Sequence, residues 1–261
     1  MARSTTLPRV SIVIPARNAG RFLRPAVLSA LADGLDGIEA VVVDDGSTDG
    51  SLVEIADLPV TVVSGPPRGE AAARNAGVRA AAARFVTFLD ADDLMVPGSL
   101  APRTALLERE PEVLAVGGLP SRLIGEDGAL LADVFERMAA SLSFPLNLDM
   151  GFYRSGRFFP VQSALYVYRR EVFDAVGPFD EALPGAVDAD FQFRLLARSA
   201  TPLLRVPVFD RRLHGTNLSF GDARTGALAF RPQMLDAIRL INRRHGLDAV
   251  EVVPWECEYL G

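Results

Sequence analysis

The chain has 261 residues, of which 49% are apolar and 23% charged, as expected for a globular protein with a substantial core. The net charge of −6 argues against a nucleic-acid surface, because binding a phosphate backbone needs a basic face. The single cysteine, Cys257, excludes an internal disulfide framework and a cysteine-based zinc site. No apolar run approaches the roughly 18 residues of a membrane span, and the first ten residues lack a signal-peptide core. We therefore expect a cytoplasmic protein without a transmembrane segment.

The first 90 residues alternate between short apolar strands and helices. Strands rich in β-branched or aromatic residues are predicted at 10–14, 39–43, 60–63 and 85–89. Helices are predicted between them, at 22–31, 47–55 and 71–82. Continuous apolar strands separated by helices are typical of a parallel sheet with helices on both faces. The sequence therefore predicts an α/β fold.

Each of these strands ends in polar or flexible residues, and ligands of open α/β sheets bind outside the carboxyl ends of strands. Asp90 and Asp92 are two positions apart, so an extended backbone directs both side chains to the same side. Their mutual repulsion favours a bound cation such as Mg²⁺ or Mn²⁺. On these residues alone, a solvated acidic turn that begins a helix is an equal alternative. A glycine-rich dinucleotide loop and a glycine-lysine phosphate loop are both missing from the sequence.

The middle of the chain, residues 119–160, has a less regular pattern, with arginines scattered among aromatic residues. It is interpreted either as an acceptor-facing loop or lid, or as a surface excursion over a partly buried aromatic cluster. A strand at 162–168, a short helix at 169–175 and a long helix at 228–244 follow. Trp255 is a candidate for core packing, for an acceptor surface or for the interface of a homodimer.

Five stretches in order resemble the inverting glycosyltransferases of family 2. They are VSIVIPARN at 10–18, VDDGSTD at 43–49, ARNAG at 73–77, FLDADD at 88–93 and VGPFDE at 176–181. The resemblance implies a GT-A fold: a Rossmann-like, mostly parallel sheet in a single domain with a variable acceptor-side part. It divides the chain into a nucleotide-sugar-binding half at 1–118, an acceptor-side and catalytic half at 119–224, and a C-terminal helix and tail at 225–261. The similarity becomes weak after about residue 215.

The resemblance also implies a donor pocket. Asp45 matches the carboxylate that accepts the N3–H of uracil, which favours a UDP-sugar as donor. Pro15, Ala16 and Asn18 lie where the end of the first strand lines the base and ribose pocket. Arg68 lies near a basic residue that relatives place close to the nucleotide, although the local match is loose.

Residues 90–92 match the aspartate-x-aspartate motif of the family. By this resemblance Asp90 and Ala91 contact the donor, Asp90 also approaches the metal, and Asp92 is the direct ligand of Mn²⁺ or Mg²⁺. A divalent cation suits the reaction because it stabilises the charge that develops on a leaving nucleoside diphosphate. His214, in an arginine-x-x-histidine segment, is a further candidate for the metal; an ordinary loop histidine is the alternative.

Inversion requires a base that takes the proton of the attacking acceptor hydroxyl. Asp188 matches the catalytic aspartate of the family, although Val187 and Ala189 replace the glutamate and the aromatic residue that usually flank it. Asp190 is the second candidate, and on a helix the two side chains cannot both face the cleft. Both carboxylates could instead serve only the start of the helix.

The resulting prediction is a metal-dependent inverting glycosyltransferase with Asp45, Asp90, Asp92 and Asp188 at its centre. It would move a sugar from a nucleotide donor to a hydroxyl of an acceptor that is a sugar, a lipid-linked sugar, a peptide or a natural product. A nucleotide-sugar-binding module with weak or lost catalysis is the alternative, motivated by the missing glutamate before Asp188. A nucleotidyltransferase is disfavoured, because its glycine- and lysine-rich loop after the first strand is missing.

Overall fold

A computed structural model describes residues 7–65, 67–155, 157, 159–215, 217, 232–247 and 256–260. The strands of this part of the chain are β1 Val10–Ala16, β2 Ile38–Asp44, β3 Thr61–Ser64, β4 Phe85–Phe88, β5 Leu94–Met95, β6 Ala115–Leu119, β7 Arg122–Ile124, β8 Leu130–Asp133, β9 Leu146–Leu148, β10 Tyr166–Arg169, β11 Thr201–Pro207 and β12 Phe209–Arg212. Its α-helices are α1 Leu23–Leu31, α2 Glu70–Ala80, α3 Leu100–Arg109, α4 Phe135–Ser141, α5 Met150–Arg154, α6 Val172–Ala175, α7 Val187–Leu196, α8 Pro232–His245 and α9 Cys257–Leu260.

The main sheet has eight strands in the order β3-β2-β1-β4-β10-β6-β11-β9. Strands β1 to β4 are mutually parallel, and β6 and β11 form a second parallel pair. Strand β10 runs antiparallel between β4 and β6, and β9 closes the far edge antiparallel to β11. The prediction of an α/β fold with a mostly parallel sheet is confirmed. The strand order reverses between β1 and β4, which is where open sheets of this kind bind ligands.

A second sheet of four strands, in the order β5-β12-β7-β8, lies beyond the end of β4. Strand β12 carries Asp210, Arg211 and Arg212, and it pairs with β5, the short strand that follows the acidic stretch at 90–93. The second sheet therefore brings a late part of the chain next to the carboxyl end of β4.

Small residues allow the close packing around the main sheet. Helix α2 lies so near β1 that a Cβ atom at Gly77 would clash with the side chain of Val13. At Gly117 of β6 a Cβ would lie 2.8 Å from a ring carbon of Tyr166 on β10. A larger residue at Gly77 would push α2 away from the sheet, and one at Gly117 would displace the ring of Tyr166.

The core between β4, β10 and α7 is aromatic. The rings of Phe88, Tyr168, Phe173, Phe179 and Phe191 pack with centroid separations of 4.7 to 6.1 Å. Aromatic pairs at these separations contribute beyond the area that they bury. This cluster fixes the start of α7, the predicted location of the base, against the end of β4.

Several predicted elements differ from the observed ones. Only residues Ser51–Ile55 of the predicted helix at 47–55 are helical, as a 3₁₀ turn, because Asp49 accepts hydrogen bonds from the backbone N–H and the hydroxyl of Ser51. The first part of the predicted strand at 162–168 is also a 3₁₀ turn, Ser163–Leu165, and pairing with β6 begins at Tyr166.

The middle region contains more regular structure than its pattern suggested, namely β7, β8, α4, β9 and α5. Three of its aromatic residues, Phe152, Tyr153 and Phe159, are buried. The Tyr153 hydroxyl donates to the carbonyl of Phe159, and the Tyr153 ring lies 5.1 Å from that of Phe193. The late helix runs from 232 to 245; residues 228–231 and Trp255 lie outside the described residues. No helix within the described ranges is both long enough and apolar enough to cross a membrane.

Candidate active site

Asp45 lies at the meeting point of β1, β2 and the start of α2. Its backbone N–H donates to the carbonyl of Ala16 at 2.9 Å. Its Oδ1 accepts the backbone N–H groups of Arg68 at 2.6 Å and of Gly69 at 3.2 Å, and the guanidinium of Arg17 lies 3.8 Å from Oδ2. The carboxylate is therefore buried and held in one orientation at the carboxyl edge of the sheet.

The other residues predicted for the donor pocket surround Asp45. Pro15 and Ala16 are the last residues of β1 and pair with Val43 and Asp44. Asn18 has a positive φ of 50° and accepts the N–H of Thr48 on its Oδ1, so it ties the loop after β1 to the loop after β2. The guanidinium of Arg68 is largely exposed and pairs with Glu181 at 2.8 Å. The contact of Arg68 with Asp45 is thus made by its backbone.

An acidic cluster follows β4 and consists of Asp90, Asp92 and Asp93. One oxygen of each carboxylate lies within 4.8 Å of the others, which is close enough for a shared cation. Asp92 Oδ2 contacts His214 Nε2 at 2.9 Å and accepts from Asn217 Nδ2 at 3.1 Å. His214 therefore contacts Asp92 directly, although it is not one of the three clustered carboxylates.

Two buried arginines offset part of this negative charge. Arg74 Nη2 donates to Asp90 Oδ1 at 2.9 Å, and Arg211 Nη1 donates to Asp90 Oδ2 at 3.0 Å. Arg211 also donates to Asp93 Oδ2 at 3.1 Å, while the backbone N–H of Arg212 donates to Asp93 Oδ1 at 2.8 Å. Asp93 is completely buried by these contacts, whereas the side chains of Asp90 and Asp92 remain 29% and 23% exposed.

The three carboxylates differ in how readily they ionise. Burial raises the pKa of Asp90 and raises that of Asp93 well above its ordinary value, against the opposing effect of arginine. At Asp92 burial acts in the same direction, but the hydrogen bond to His214 and the charge of Arg211 bring the pKa below its usual value. Asp92 is therefore the carboxylate most available to a cation. The cluster fits a divalent metal, since it offers hard oxygen ligands that are partly exposed, and it is consistent with the metal-binding motif of GT-A enzymes.

Glu256 approaches the cluster from the C-terminal part of the chain. Its Oε1 lies 3.8 Å from Arg211 Nε, and burial raises the pKa of Glu256 to about 7, although Arg211 acts to lower it. A further acidic group thus faces the arginine that neutralises Asp90 and Asp93.

Asp188 and Asp190 point in different directions from the first turn of α7. Asp188 Oδ1 accepts from Ser163 Oγ at 2.7 Å and lies 3.5 Å from Arg74 Nε. Because Arg74 also holds Asp90, a single guanidinium connects the acidic cluster with Asp188. Burial raises the pKa of Asp188 against the opposing charge of Arg74.

Asp190 is fully buried and surrounded by basic groups. Arg194 Nε donates to its Oδ2 at 2.8 Å, Arg244 Nη1 donates to its Oδ1 at 2.9 Å, and His245 Nε2 lies 3.4 Å from Oδ1. Burial would raise the pKa of Asp190, but the hydrogen bonds from His245 and Arg194 bring it far below the ordinary range. These contacts fasten α7 to α8 and leave Asp190 poorly suited to take a proton.

Five residues of this site have no role in the sequence-based prediction: Arg74, Asn75, Ser163, Arg211 and Asn217. Arg74 and Asn75 lie in the ARNAG stretch, and a pair of polar residues inside an alanine-rich helix is the signal that could have identified them. Asn75 exchanges hydrogen bonds with the backbone of Phe179 and donates to Glu181, so it docks the loop at 176–181 on α2. Ser163 carries no such signal, because its neighbours suit an ordinary strand.

The sequence profile described as glycosyl transferase family 2 matches residues 11–177, more than half of the chain, and the chain therefore belongs to that family. It is 34% identical to an uncharacterised glycosyltransferase of Nostoc sp. over 66% of this chain and 54% of that protein. It is 32% identical to the pre-mycofactocin glycosyltransferase of Mycobacterium tuberculosis over 73% of this chain and 40% of that protein. The chain thus spans about half or less of the length of these relatives.

Solved structures of TarS from Staphylococcus aureus share the fold. One, comprising residues 1–349, superposes with a TM-score of 0.62 at 19% identity, over 90% of this chain and 64% of that chain. Another, in complex with UDP, gives a TM-score of 0.61 at 18% identity, over 96% of this chain and 68% of that chain. The predicted family and GT-A fold are both confirmed.

Proposed function

We propose that this protein transfers a sugar from a UDP-sugar to an acceptor hydroxyl, with inversion at the anomeric carbon and with a divalent cation bound at Asp90 and Asp92. The observation that carries the proposal is the pair of carboxylate sites connected by Arg74. On one side Asp90 lies in the acidic cluster, and on the other Asp188 lies on α7. Donor activation and proton acceptance need two such sites on opposite sides of the reacting carbon.

The chain's own residues have separate tasks in this reaction. Asp45 would accept the N3–H of uracil, with its carboxylate held by the N–H groups of residues 68 and 69. Asp90 and Asp92 would hold the cation, with His214, which contacts Asp92, as a further candidate ligand, while Arg74 and Arg211 limit the repulsion within the cluster. When bound, the cation supplies charge stabilisation for the departing diphosphate.

Asp188 is assigned the role of base. Its pKa is raised above that of an ordinary aspartate by burial, so it is better matched to accepting a proton from a hydroxyl. It would take the proton of the acceptor as the hydroxyl oxygen forms the new bond and the sugar–phosphate bond breaks. Asp190 is not assigned this role, because both of its oxygens are engaged by basic groups on α7 and α8.

Support for the uridine nucleotide comes from Asp45 and from the relatives. TarS has been crystallised with UDP and with UDP-GlcNAc, and family members matching this chain include the chondroitin synthase of Pasteurella multocida. We therefore choose UDP-N-acetylglucosamine as the first donor to test. The acceptor is left open among sugars, lipid-linked sugars, peptides and natural products.

The nucleotide assignment predicts that UDP with Mn²⁺ stabilises the fold more than GDP or dTDP does. A ligand at about 100 times its dissociation constant adds roughly 2.7 kcal/mol to the free energy of unfolding. Thermal shift with each nucleotide at equal concentration, with and without Mn²⁺, measures this difference. Equal or larger stabilisation by GDP would refute the uridine assignment. Tight UDP binding without any UDP release from a panel of UDP-sugars and acceptors would favour the binding-module alternative.

A further inference from the structure

In the part of the chain that the structure describes, both side-chain contacts of Asp188 use the same oxygen. Ser163 Oγ donates to its Oδ1 at 2.7 Å, and Arg74 Nε lies 3.5 Å from the same atom. Ser163 is completely buried, at the start of the 3₁₀ turn Ser163–Leu165 that leads into β10. Since both side-chain contacts use Oδ1, Oδ2 is the oxygen left for a proton from the cleft.

Arg74 is fixed by its other contacts. Its Nη1 pairs with Glu70 and its Nη2 donates to Asp90 Oδ1, while the guanidinium carbon lies 5.9 Å from the ring centroids of Phe88 and of Phe179. Within the described residues, Arg74 Nε has no hydrogen-bond partner, and its ion-pair partner is Asp188. A buried N–H group without an acceptor is costly, so a small approach of Asp188 towards it would be favourable.

We propose that Ser163 and Arg74 are positioning residues for Asp188: together they hold Oδ1 and thereby present Oδ2 to the acceptor hydroxyl. Arg74 also connects the placement of Asp188 with Asp90 in the acidic cluster. This inference rests on the proposed function, in which Asp188 is the base. It adds the residues that orient the base and the oxygen that the base uses.

The physical reason lies in the geometry of proton transfer. A base must lie within hydrogen-bond reach of the proton that it takes, and a misplacement of about 1 Å can cost a factor of roughly 100 in rate. An unrestrained carboxylate rotates about its Cβ–Cγ bond and exchanges its two oxygens. The hydrogen bond from Ser163 and the nearby charge of Arg74, both on Oδ1, oppose this exchange without occupying the oxygen that reacts.

Ser163→Ala is the main test, because it removes one hydrogen bond and leaves every charge in place. We expect kcat for UDP release from UDP-N-acetylglucosamine to fall about tenfold, while KM for the donor and stabilisation by UDP stay unchanged. The acid limb of the pH profile of kcat/KM should also move to higher pH, because the lost hydrogen bond favoured the ionised carboxylate. This variant leaves unchanged the other titratable groups that act on Asp188 among the described residues. They are Arg74 and Glu70 on α2, Asp90 after β4 and Tyr168 on β10.

Ser51→Ala is the matched control. Ser51 is also buried and also donates from its Oγ to an aspartate Oδ1 at 2.7 Å, in this case that of Asp49 in the loop after β2. It should change stability by a similar amount and leave both kcat and the pH profile as in the parent protein. Should Ser163→Ala fail to fold, Ser163→Cys keeps the volume with a weaker donor, and it should lower kcat in the same way.

Arg74→Lys provides an independent variant. Lysine keeps the positive charge, but its single nitrogen cannot hold Glu70, Asp90 and Asp188 at once. We expect kcat to fall at least as far as in Ser163→Ala.

If Ser163→Ala or Ser163→Cys matches Ser51→Ala in kcat and in pH profile, the positioning role is refuted even when Asp188→Asn abolishes turnover. If Asp188→Asn itself retains full turnover, the assignment of the base is wrong and this inference is refuted with it.

Discussion

The tripeptide aspartate-alanine-aspartate occurs twice in this chain, at 90–92 and at 188–190, and the two copies behave in opposite ways. The first follows the end of β4, and its two carboxylates lie close enough to share a cation. The second forms part of the first turn of α7, and its two carboxylates contact different partners on different sides of the helix. Local backbone geometry therefore decides whether this spacing gathers charge or separates it.

Each arrangement has its own electrostatic consequence. After β4 the gathered carboxylates repel one another, and Arg74 and Arg211 offset only part of this repulsion, so a cation is still favoured. On α7 the separated carboxylates take on different tasks: Asp188 faces Arg74 and Ser163, and Asp190 binds Arg194 and Arg244. Both carboxylates of the first copy can bind a cation. In the second copy only Asp188 remains available to a substrate, because Asp190 is engaged by arginines.

The largest effect is expected from Asp188→Asn, which tests the division of tasks on α7. Asparagine keeps the size of the side chain but cannot take the acceptor's proton, so transfer should fall by roughly 100- to 10,000-fold. Stabilisation by UDP with Mn²⁺ should stay unchanged, because Asp45 and the acidic cluster are untouched. Initial rates of UDP release and thermal shift, measured on the same preparation, check both statements.

Asp190→Asn is the natural comparison for that experiment, since it makes the same chemical change two residues later. Its folded protein should retain most of the transfer rate. The reverse pattern, with Asp190→Asn inactive and Asp188→Asn active, would mean that the base has been assigned to the wrong carboxylate. Loss of UDP binding in Asp188→Asn would instead place Asp188 in the donor site.

The next effect concerns the copy after β4. Asp92→Asn removes the carboxylate most available to a cation and should abolish the Mn²⁺-dependent part of UDP binding. The fold without ligand should be somewhat less stable than that of the parent protein, because His214 and Arg211 favour the ionised carboxylate and hold the pKa of Asp92 below its usual value. Thermal shift with UDP, with and without Mn²⁺, measures both. Asp127→Asn, which makes an equal change of charge on an exposed turn, is the control. If UDP binding by Asp92→Asn still depended on Mn²⁺, the acidic cluster would not be the metal site.

Much of the first half of the molecule could be predicted, because its strands are continuous apolar runs and its strand ends carry the family's motifs. The proximity of Asp90 and Asp92 was predicted for an extended backbone, but residues 90–93 form a turn in which the backbone N–H of Asp93 donates to the carbonyl of Asp90 at 3.1 Å. The opposite directions of Asp188 and Asp190 follow from the geometry of a helix, as predicted. Local geometry was therefore read correctly from the sequence on α7, but not after β4.

The partners of these carboxylates could not be predicted, since they come from distant parts of the chain. Arg211 reaches Asp93 across 118 positions of sequence, and Ser163 reaches Asp188 across 25. Such contacts depend on the strand order, in which β10 enters antiparallel beside β4 and β12 forms a separate sheet. The 3₁₀ turn at Ser163 was missed for the same reason, because the strand pattern of residues 162–168 does not show where pairing with β6 begins.

The smallest effect is on stability, and it tests Asp190, the carboxylate of α7 to which no part in the reaction is assigned. Asp190→Asn removes a buried charge that binds Arg194 and Arg244, which should cost about 3 kcal/mol, or roughly 6 to 12 °C in Tm. Because the pKa of Asp190 is lower in the folded protein than in the unfolded chain, its contribution is complete above about pH 4 and is lost as the pH falls through the lower folded value. The difference in stability between parent and variant should therefore be constant near neutrality and shrink in acid.

Asp236→Asn on α8 is the control: it removes an exposed carboxylate beside Arg239 and should change stability by about 0.5 kcal/mol or less at every pH. If Asp190→Asn matched this control, the contacts between α7 and α8 would not hold Asp190 as an ion pair, and the contrast between the two copies would be reduced to direction alone.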